Sequence, residues 1–244
     1  MNNIILFGDI IIDVKIDGTP SRMAQEGPFP IINIKHISTK LGCCGNVLLN
    51  ILDFYDNIYL ITCINENEIN EIEEIITSYK NVKLVNFNQD NRHVIRKNRV
   101  YSNDTCVSRF DEEIICNTDN NDETKIFAYI ESIISNINIV LLSDYNKGTL
   151  TKNMTLKILE LTQKHNIISL IDPKTNDFSK YKNATIVKPN KKEFQECLDY
   201  EKIDTYKDTV SIQSKLNDKY NIKVILNTMG EHGMRIFFKN VNGL

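Results

Sequence analysis

The sequence lacks two short motifs by which nucleotide-binding enzymes are commonly detected. Neither the GxxxxGK[ST] phosphate-binding loop nor the GxGxxG dinucleotide fingerprint occurs in its 244 residues. Both motifs place backbone N–H groups around phosphate at the start of a helix. Their absence disfavours a P-loop ATPase and a classical dinucleotide-dependent dehydrogenase.

Charge and cysteine content disfavour further classes of protein. The formal net charge is −3, so no global positive field would hold nucleic acid or an anionic membrane, and we expect neither as a partner. The six cysteines form no CxxC pair and no Cys/His set at zinc spacing. No apolar run approaches membrane-spanning length, and the amino terminus lacks the basic region of a signal peptide. We therefore expect reduced thiols and a cytoplasmic location.

Apolar segments with strand and helix patterns alternate along most of the chain. Residues 3–13 form a continuous apolar run, typical of a strand that is buried on both faces. The other strand candidates are 58–64, 82–87, 137–144, 166–172, 184–190 and 222–228, and the helix candidates are 45–56, 65–80, 124–136, 151–165, 191–199 and 208–220. This order predicts a single α/β domain over residues 1–244, with a mostly parallel sheet flanked by helices.

Two polar segments interrupt this alternation and predict a second, smaller sheet. Residues 93–111 alternate between apolar and polar side chains around the turn signal SND, as an exposed hairpin does. Residues 14–36 are rich in Gly and Pro and end in another short strand pattern, and they are the expected partner of that hairpin. We predict a lid from about 14–38 and 92–110 that stands off the main sheet.

Polar residues follow most of the predicted strands. In open α/β sheets, ligands bind outside the carboxyl ends of the strands. Asp, Lys, Asn and Glu recur at these ends, and phosphoryl transfer needs this set to neutralise phosphate, hold Mg²⁺ and orient a hydroxyl. Turn preference explains one or two such ends but not five. The ends are Asp9 and Asp13, SDYNKG (143–148), DPKTNDF (172–178), KPNKKEF (188–194) and TMGEHG (228–233).

Long segments in a fixed order resemble the ribokinase, or PfkB, family of carbohydrate kinases. They are LSDYNKGTL (142–150), IDPKTNDFSKYKNATIVKPNKKEF (171–194) and TMGEHGM (228–234). GDIIIDVKIDGTPSRMAQEGPFPIINI (8–34) and the hairpin RKNRVYSNDTCVSRFD (96–111) are similar to the same family. The resemblance is greatest to its heptose 7-phosphate kinases. It implies a ribokinase-like fold with a β-clasp lid, through which two copies could form a homodimer.

The resemblance also implies a reaction and roles for individual residues. The reaction is phosphorylation of the anomeric hydroxyl of a heptose 7-phosphate by Mg²⁺·ATP. The positions implied for the sugar phosphate are Asp13, Gly42, Asn46, Lys97, Arg99, Arg109, Asp144 and Lys147. The positions implied for ATP are Lys174, Asn190, Glu193, Thr228 and Gly230, and Glu193 is also implied for Mg²⁺.

Two of these assignments have a structural alternative. Arg109 could form a surface ion pair with Asp111, worth under about 1 kcal/mol. Asn190 and Glu193, three residues apart, are also the pattern of a capping box at a helix start. The length of the matched motif favours the functional interpretation for Asn190 and Glu193.

The sugar loop departs from the family pattern at one glycine. In GCCGN (42–46), Cys43 stands where the family has its second glycine. Glycine permits positive φ and close approach of the backbone, so we expect the cysteine to narrow the sugar pocket. A redox or metal role for the vicinal pair Cys43–Cys44 is a minor alternative, because the sequence offers no further ligands.

A second departure concerns catalysis. The family's DxTGAGD segment, which carries the anion hole and the catalytic base, does not occur in these 244 residues, so no catalytic residue is assigned. Three interpretations stay open. The chain is a kinase that another segment completes, a non-catalytic protein that binds a sugar phosphate or a partner, or a shortened gene product.

We predict that the 244-residue chain alone does not phosphorylate heptose 7-phosphate at a measurable rate. A positioned base contributes about 10²–10⁴ in rate, and one anion-hole donor contributes about 10²–10³. A coupled ADP-release assay with Mg²⁺ and ATP measures the rate. Turnover above about 0.1 per second, within an order of magnitude of ordinary kinases, would contradict the prediction.

Overall fold

The computed structural model describes residues 1–203 and 212–238, which form two β-sheets with helices packed on the larger one. The helices are α1 (Cys44–Ile51), α2 (Ile69–Ile76), α3 (Asn120–Ile133), α4 (Lys152–Lys164) and α5 (Lys191–Tyr200). The strands are β1 (Asn3–Gly8), β2 (Ile10–Met23), β3 (Pro30–Cys43), β4 (Asn57–Thr62), β5 (Val82–Asn86), β6 (Ile95–Ser102), β7 (Thr105–Glu112), β8 (Ile139–Ser143), β9 (Ile168–Asp172), β10 (Ile186–Val187), β11 (Val224–Thr228) and β12 (Met234–Phe238).

The larger sheet confirms the predicted fold class. Its strand order in the described residues is β12-β11-β10-β9-β8-β1-β4-β5. Every neighbouring pair is parallel except β11 and β12, which form an antiparallel hairpin. Because parallel strands end at the same edge, the polar segments that follow them meet there.

The core has two layers, one on each face of the larger sheet. Alternate residues of β1 point to opposite faces: Ile5 and Phe7 join the layer under α3, α4 and α5, and Ile4 and Leu6 join the layer under α1 and α2. All four side chains are fully buried. The continuous apolar run is therefore explained by burial on both faces.

The apolar run 3–13, predicted as one strand, is two strands in two different sheets. β1 ends at Gly8 and lies in the larger sheet, whereas β2 begins at Ile10 and lies in the smaller one. The prediction of a single strand was wrong because hydrophobicity does not distinguish the interior of one sheet from the junction between two. The only polar residue between the strands is Asp9.

The smaller sheet contains the two polar segments that the sequence singles out. Its order is β3-β2-β6-β7, with β2 antiparallel to β3 and parallel to β6. β6 and β7 form a hairpin, and the two residues of its turn, Asn103 and Asp104, both have positive φ. Asn and Asp tolerate that conformation better than other side chains do, which fits the turn signal in the sequence.

Other elements differ from the sequence predictions at their ends. The helix predicted over 65–80 spans only Ile69–Ile76, and the strand predicted over 184–190 shortens to Ile186–Val187. The helix predicted over 208–220 lies partly outside the described residues, and its described part includes a π-helical segment, Gln213–Asp218. None of the described helices is long and apolar enough to cross a membrane.

Candidate functional site

The site lies where the two sheets join, and it is organised around Asp9. Asp9 is 3% exposed, and its carboxylate accepts three backbone N–H groups from one loop. These are the N–H groups of Tyr145 (3.0 Å), Lys147 (3.1 Å) and Thr149 (3.1 Å). Hydrogen bonds from neutral N–H groups stabilise a buried carboxylate. The loop of residues 145–149, which we call the site loop, is therefore held against the end of β1.

Four of the predicted sugar-site positions are brought together beside this loop, on β2, β3 and β6. Asp13 pairs in register with Lys97, and its Oδ1 accepts a hydrogen bond of 2.6 Å from Arg99. Gly42 lies so close that a Cβ atom there would be 2.3 Å from Asp13 Oδ2. A side chain at Gly42 would displace the carboxylate, so the absence of one keeps Asp13 accessible.

Cys43 adopts the backbone conformation that its family position predicts. Its φ is 53° and its ψ is −124°, in a region that essentially only glycine occupies without strain. The side chain is buried against Ile11 and Ile95. Burial raises the pKa of the Cys43 thiol to about 12, and burial likewise raises the pKa of Cys44. Both thiols are therefore protonated near neutral pH, which argues against a redox role for the pair.

The remaining predicted sugar-site residues lie at the margin of this group. Asn46 is exposed in the first turn of α1. Arg109 lies opposite Arg99 on β7, but its guanidinium makes two hydrogen bonds to Asp111, of 2.9 and 2.7 Å. The surface ion pair considered as an alternative for Arg109 is thus present. The side chain of Lys147 forms an ion pair with Glu113.

Asp144 is buried beneath the site loop rather than free in the cleft. It is 2% exposed, and its Oδ2 is 2.5 Å from Lys180 Nζ and 2.7 Å from the hydroxyl of Tyr181. Its Oδ1 accepts the N–H of Asn146 at 2.9 Å. Burial and the neighbouring carboxylate raise the pKa of Tyr181, so its hydroxyl stays a donor. Asp144 thus shapes the site loop through Asn146.

A second group of predicted residues lines a cleft at the ends of β8, β9 and β10. Lys174 Nζ is 2.9 Å from Glu193 Oε1. Asn190 and Glu193 form a complete capping box at the start of α5, in which Glu193 Oε2 accepts the N–H of Asn190 at 2.9 Å. The capping role considered as an alternative is therefore present. The position of both residues in the cleft is compatible with a second role toward a ligand.

The cleft is polar and of a size that suits phosphate groups. It has a volume of about 210 Å³ and is lined by Asp144, Tyr145, Asp172, Pro173, Lys174, Lys188, Asn190 and Glu193. Lys188 pairs with Asp172 at 2.8 Å. Two lysines at the opening of one cleft are the kind of donors that neutralise a polyphosphate.

Thr228 and Gly230, the last two predicted ATP positions, are not among the residues that line this cleft. Thr228 forms a β-bridge with Asn190, and its N–H donates to the carbonyl of Pro189 at 3.0 Å. Gly230 has a φ of +60°, and a Cβ atom there would meet nothing within 4 Å. The backbone at Gly230 is therefore open to a ligand.

Tyr145 stands between the two groups of residues. Burial raises its pKa, and the nearby groups that raise it further include Cys43 on one side and Asp172 and Glu193 on the other. Lys97 lowers the pKa of Cys43 and Asp13 raises it. Tyr145, which lines the cleft, is therefore also close to Cys43 beside the sugar-site residues.

The cleft fits a magnesium ion only if a bound phosphate supplies some of the oxygen atoms that coordinate the metal. In the described part of the chain, no group of three or more His, Cys, Asp or Glu side chains could hold a metal ion. Mg²⁺ in phosphoryl-transfer sites needs only one or two carboxylates, because phosphate and water supply its other ligands. Asp172 and Glu193 face the same cleft, so they fit Mg²⁺ that arrives with a nucleotide.

Three residues important to this geometry were not singled out by the sequence analysis. Lys180 and Tyr181 hold Asp144, and Arg92 is buried beside the site loop. A lysine or an arginine in a polar segment reads as a surface residue. The one sequence feature that points to Lys180 is its position in the matched segment 171–194, which is rich in charged residues.

Comparison with known proteins identifies the family. Residues 1–243 match the pfkB family carbohydrate kinase description. The chain belongs to the pfkB family of carbohydrate kinases. This confirms the resemblance described in the sequence analysis. Kinases of the pfkB family use ATP.

Individual relatives agree with this assignment. The chain is 31% identical over 240 residues to the bifunctional protein HldE of Aliarcobacter butzleri, covering 98% of this chain and 50% of that protein. The tetrameric inhibited form of phosphofructokinase-2 from Escherichia coli superposes with a TM-score of 0.74 at 13% identity, over 98% of this chain and 77% of that one.

Ribokinase from Giardia lamblia also superposes, with a TM-score of 0.66 at 12% identity, over 98% of this chain and 74% of that one. These likenesses show that the fold is ribokinase-like. The chain spans about half the length of the curated relatives that it matches.

The positive φ of Cys43 predicts that replacing Cys43 by glycine and replacing Cys44 by glycine have different effects on stability. Cys43→Gly relieves backbone strain of about 1–3 kcal/mol, whereas Cys44→Gly removes an equally buried thiol from a residue without positive φ. We expect Cys44→Gly to lower the free energy of unfolding by about 1–3 kcal/mol more than Cys43→Gly does. Chemical denaturation of both variants measures the difference, and equal losses would contradict the account of Cys43.

Proposed function

We propose that this chain binds a heptose 7-phosphate and the phosphates of Mg²⁺·ATP as part of a kinase that phosphorylates the anomeric hydroxyl of the sugar. The observation that carries the proposal is the arrangement of Asp13, Arg99 and Lys97 beside Gly42. A carboxylate with both an open approach and a fixed orientation is suited to accept hydrogen bonds from sugar hydroxyls. The relative HldE, at 31% identity, supports the heptose as substrate.

The phosphate of the sugar would be held by cations of the smaller sheet. Lys97 has no hydrogen bond or ion pair within the described residues, so its ammonium group is available to a ligand. Arg99 is about one-third exposed and is already oriented by Asp13. We propose Lys97 and Arg99, rather than Arg109, as the main contacts to the sugar phosphate, because the guanidinium of Arg109 is already paired with Asp111.

The phosphates of ATP would be held in the cleft by Lys174 and Lys188. Asn190 lines the same cleft, and Thr228 forms a β-bridge with it. Asn190, Thr228 and Gly230 are the proposed contacts to the nucleotide. Mg²⁺ bound to the phosphates would neutralise the charge that develops on the transferring group, with Glu193 as the proposed carboxylate of the protein. Asn46 and Lys147 are proposed as further contacts to the sugar.

The smaller sheet is proposed to act as a lid over the sugar. The strands of this sheet carry exposed apolar side chains, among them Ile34, Ile37 and Phe110, each at least half exposed. Contact with a second copy would cover such side chains, and this supports the proposed homodimer. A cytoplasmic location is proposed from the substrate class, because ATP and sugar phosphates occur there.

A general base is the one part of the machinery that we assign to none of the described residues. Asp144, Asp172 and Glu193 face this edge of the sheet, and each is paired with a lysine. A carboxylate that is held by a cation is a weak proton acceptor. The same observation favours a second function, in which the 244 residues bind the sugar phosphate without turning it over.

Isothermal titration calorimetry tests the proposal. We expect heptose 7-phosphate to bind more tightly than ATP with Mg²⁺. Asp13→Asn and Lys97→Met should each weaken sugar-phosphate binding about 10–100-fold, because a hydrogen bond to a charged group contributes about 1.5–3 kcal/mol. The matched control is Lys157→Met, which removes an exposed lysine on α4 and should change neither affinity. Tight ATP binding without any binding of heptose 7-phosphate would contradict the proposed function.

A further inference from the structure

Arg92 is a buried arginine whose partners are all neutral. It is 6% exposed. Its guanidinium donates to the carbonyl of Lys147 (3.2 Å), the hydroxyl of Thr149 (3.1 Å), the carbonyl of Cys116 and, from Nε, the side-chain carbonyl of Gln89 (3.4 Å). Burying a cation is costly unless its donors are satisfied. Here four hydrogen bonds, none of them to a carboxylate, satisfy four of its five N–H donors.

These acceptors come from three separate segments of the chain. Gln89 precedes the β6–β7 hairpin, Cys116 follows it, and Lys147 and Thr149 belong to the site loop. One planar guanidinium therefore joins both ends of the hairpin to the loop. Arg is suited to this task, because its donors have a fixed fork geometry that Lys cannot reproduce.

The exit of the hairpin is joined to the site loop by further contacts around Arg92. The N–H of Thr118 donates to the carbonyl of Gly148 at 3.0 Å, and its hydroxyl donates to the carbonyl of Thr149 at 3.1 Å. Gly148 has a φ of +97°, and a Cβ atom there would lie 2.2 Å from the carbonyl oxygen of Cys116. The two segments thus pack so closely that only glycine fits at position 148.

Asp9 supplies the compensating charge through the site loop. The N–H of Lys147 donates to Asp9 and the carbonyl of the same residue accepts from Arg92. Asp9 and Arg92 also line the same small internal cavity. The loop is therefore held between a buried anion that binds its N–H groups and a buried cation that binds its oxygen atoms, which polarises the hydrogen bonds on both sides.

We propose that Arg92 is a positioning residue that fixes the β6–β7 hairpin to the site loop. The hairpin carries Lys97 and Arg99, so Arg92 sets the distance between these cations and the loop on which the sugar would rest. This part of the inference rests on the proposed function. Misplacement of a binding group by about 1 Å can cost about 10²-fold, so the effect should reach the sugar phosphate although Arg92 does not touch it.

The first test is hydrogen exchange of the ligand-free protein, measured by mass spectrometry. The variants are Arg92→Met and Thr149→Val, which removes one acceptor while keeping the shape of the side chain. We expect exchange at residues 113–118 and 145–149 to be roughly tenfold faster or more, with β8 and β9 unchanged, because the opening would be local. The control is Arg96→Met, which removes an arginine of β6 that pairs with Glu71 on α2.

The second test measures heptose 7-phosphate and Mg²⁺·ATP binding by calorimetry on the same variants. We expect Arg92→Met to weaken sugar-phosphate binding about tenfold and ATP binding much less, because Lys97 and Arg99 lie on the hairpin whereas Lys174 and Lys188 do not. A purely structural role would lower both affinities equally or lower neither. Arg92→Lys, which keeps the charge but not the fork, should resemble Arg92→Met.

The two tests separate the inference from the function on which it rests. Uniform acceleration of exchange over the whole chain, or none at residues 113–118 and 145–149, would overturn the role of Arg92. Local acceleration in Thr149→Val supports that role even if Arg92→Met does not fold. If the unmodified protein binds no heptose 7-phosphate while the exchange result is local, the proposed function fails and the role of Arg92 in joining hairpin and loop stands.

Discussion

The carboxylate of Asp9 is the interaction on which the rest of the site depends. Asp9 stands where the chain leaves the larger sheet and enters the smaller one, between Gly8 and Ile10. Its side chain gathers three N–H groups of the site loop, and its carbonyl accepts the N–H of Cys44 at 2.9 Å. The sheet junction, the site loop and the Cys43 turn are all held by one residue. Since a buried carboxylate without donors is costly, these parts fold together.

Charge pairing is the second organising feature. The acids at the carboxyl edge each have a cation or a set of N–H donors as partner, whereas the side chain of Lys97 has no hydrogen bond or ion pair within the described residues. A phosphate that enters the cleft must compete with Glu193 for Lys174 and with Asp172 for Lys188. Binding would then release carboxylate oxygens toward any metal that the phosphates carry.

Much of this account is predictable from the sequence, and the limits have physical causes. The parallel sheet follows from alternating apolar patterns, and the second sheet follows from the polar hairpin around residues 93–111. The split of the first strand at Asp9 and the burial of Arg92 were not predictable. Both depend on contacts between residues more than 50 positions apart. Local patterns carry no information about such contacts.

Among the site residues, too, some features were predictable from the sequence and others were not. The resemblance singled out Asp13, Arg99 and Glu193. The structure places Asp13 and Arg99 side by side on the smaller sheet and Glu193 in the cleft at the strand ends of the larger sheet. The motif resemblance did not indicate that Asp144 is held by Lys180, because the burial of a charge depends on which residues pack over it. The positive φ of Cys43 was foreseeable, since the family position calls for glycine and the required backbone conformation is a property of the turn rather than of its side chain.

A crystal structure of the protein grown with heptose 7-phosphate tests the central claim most directly. The account predicts sugar hydroxyls within hydrogen-bond distance of Asp13 and the phosphate within ion-pair distance of Lys97 and Arg99, with the site loop in its present position. Density for the sugar phosphate anywhere else on the chain, or a site loop that has left Asp9 to bind it, would contradict the account.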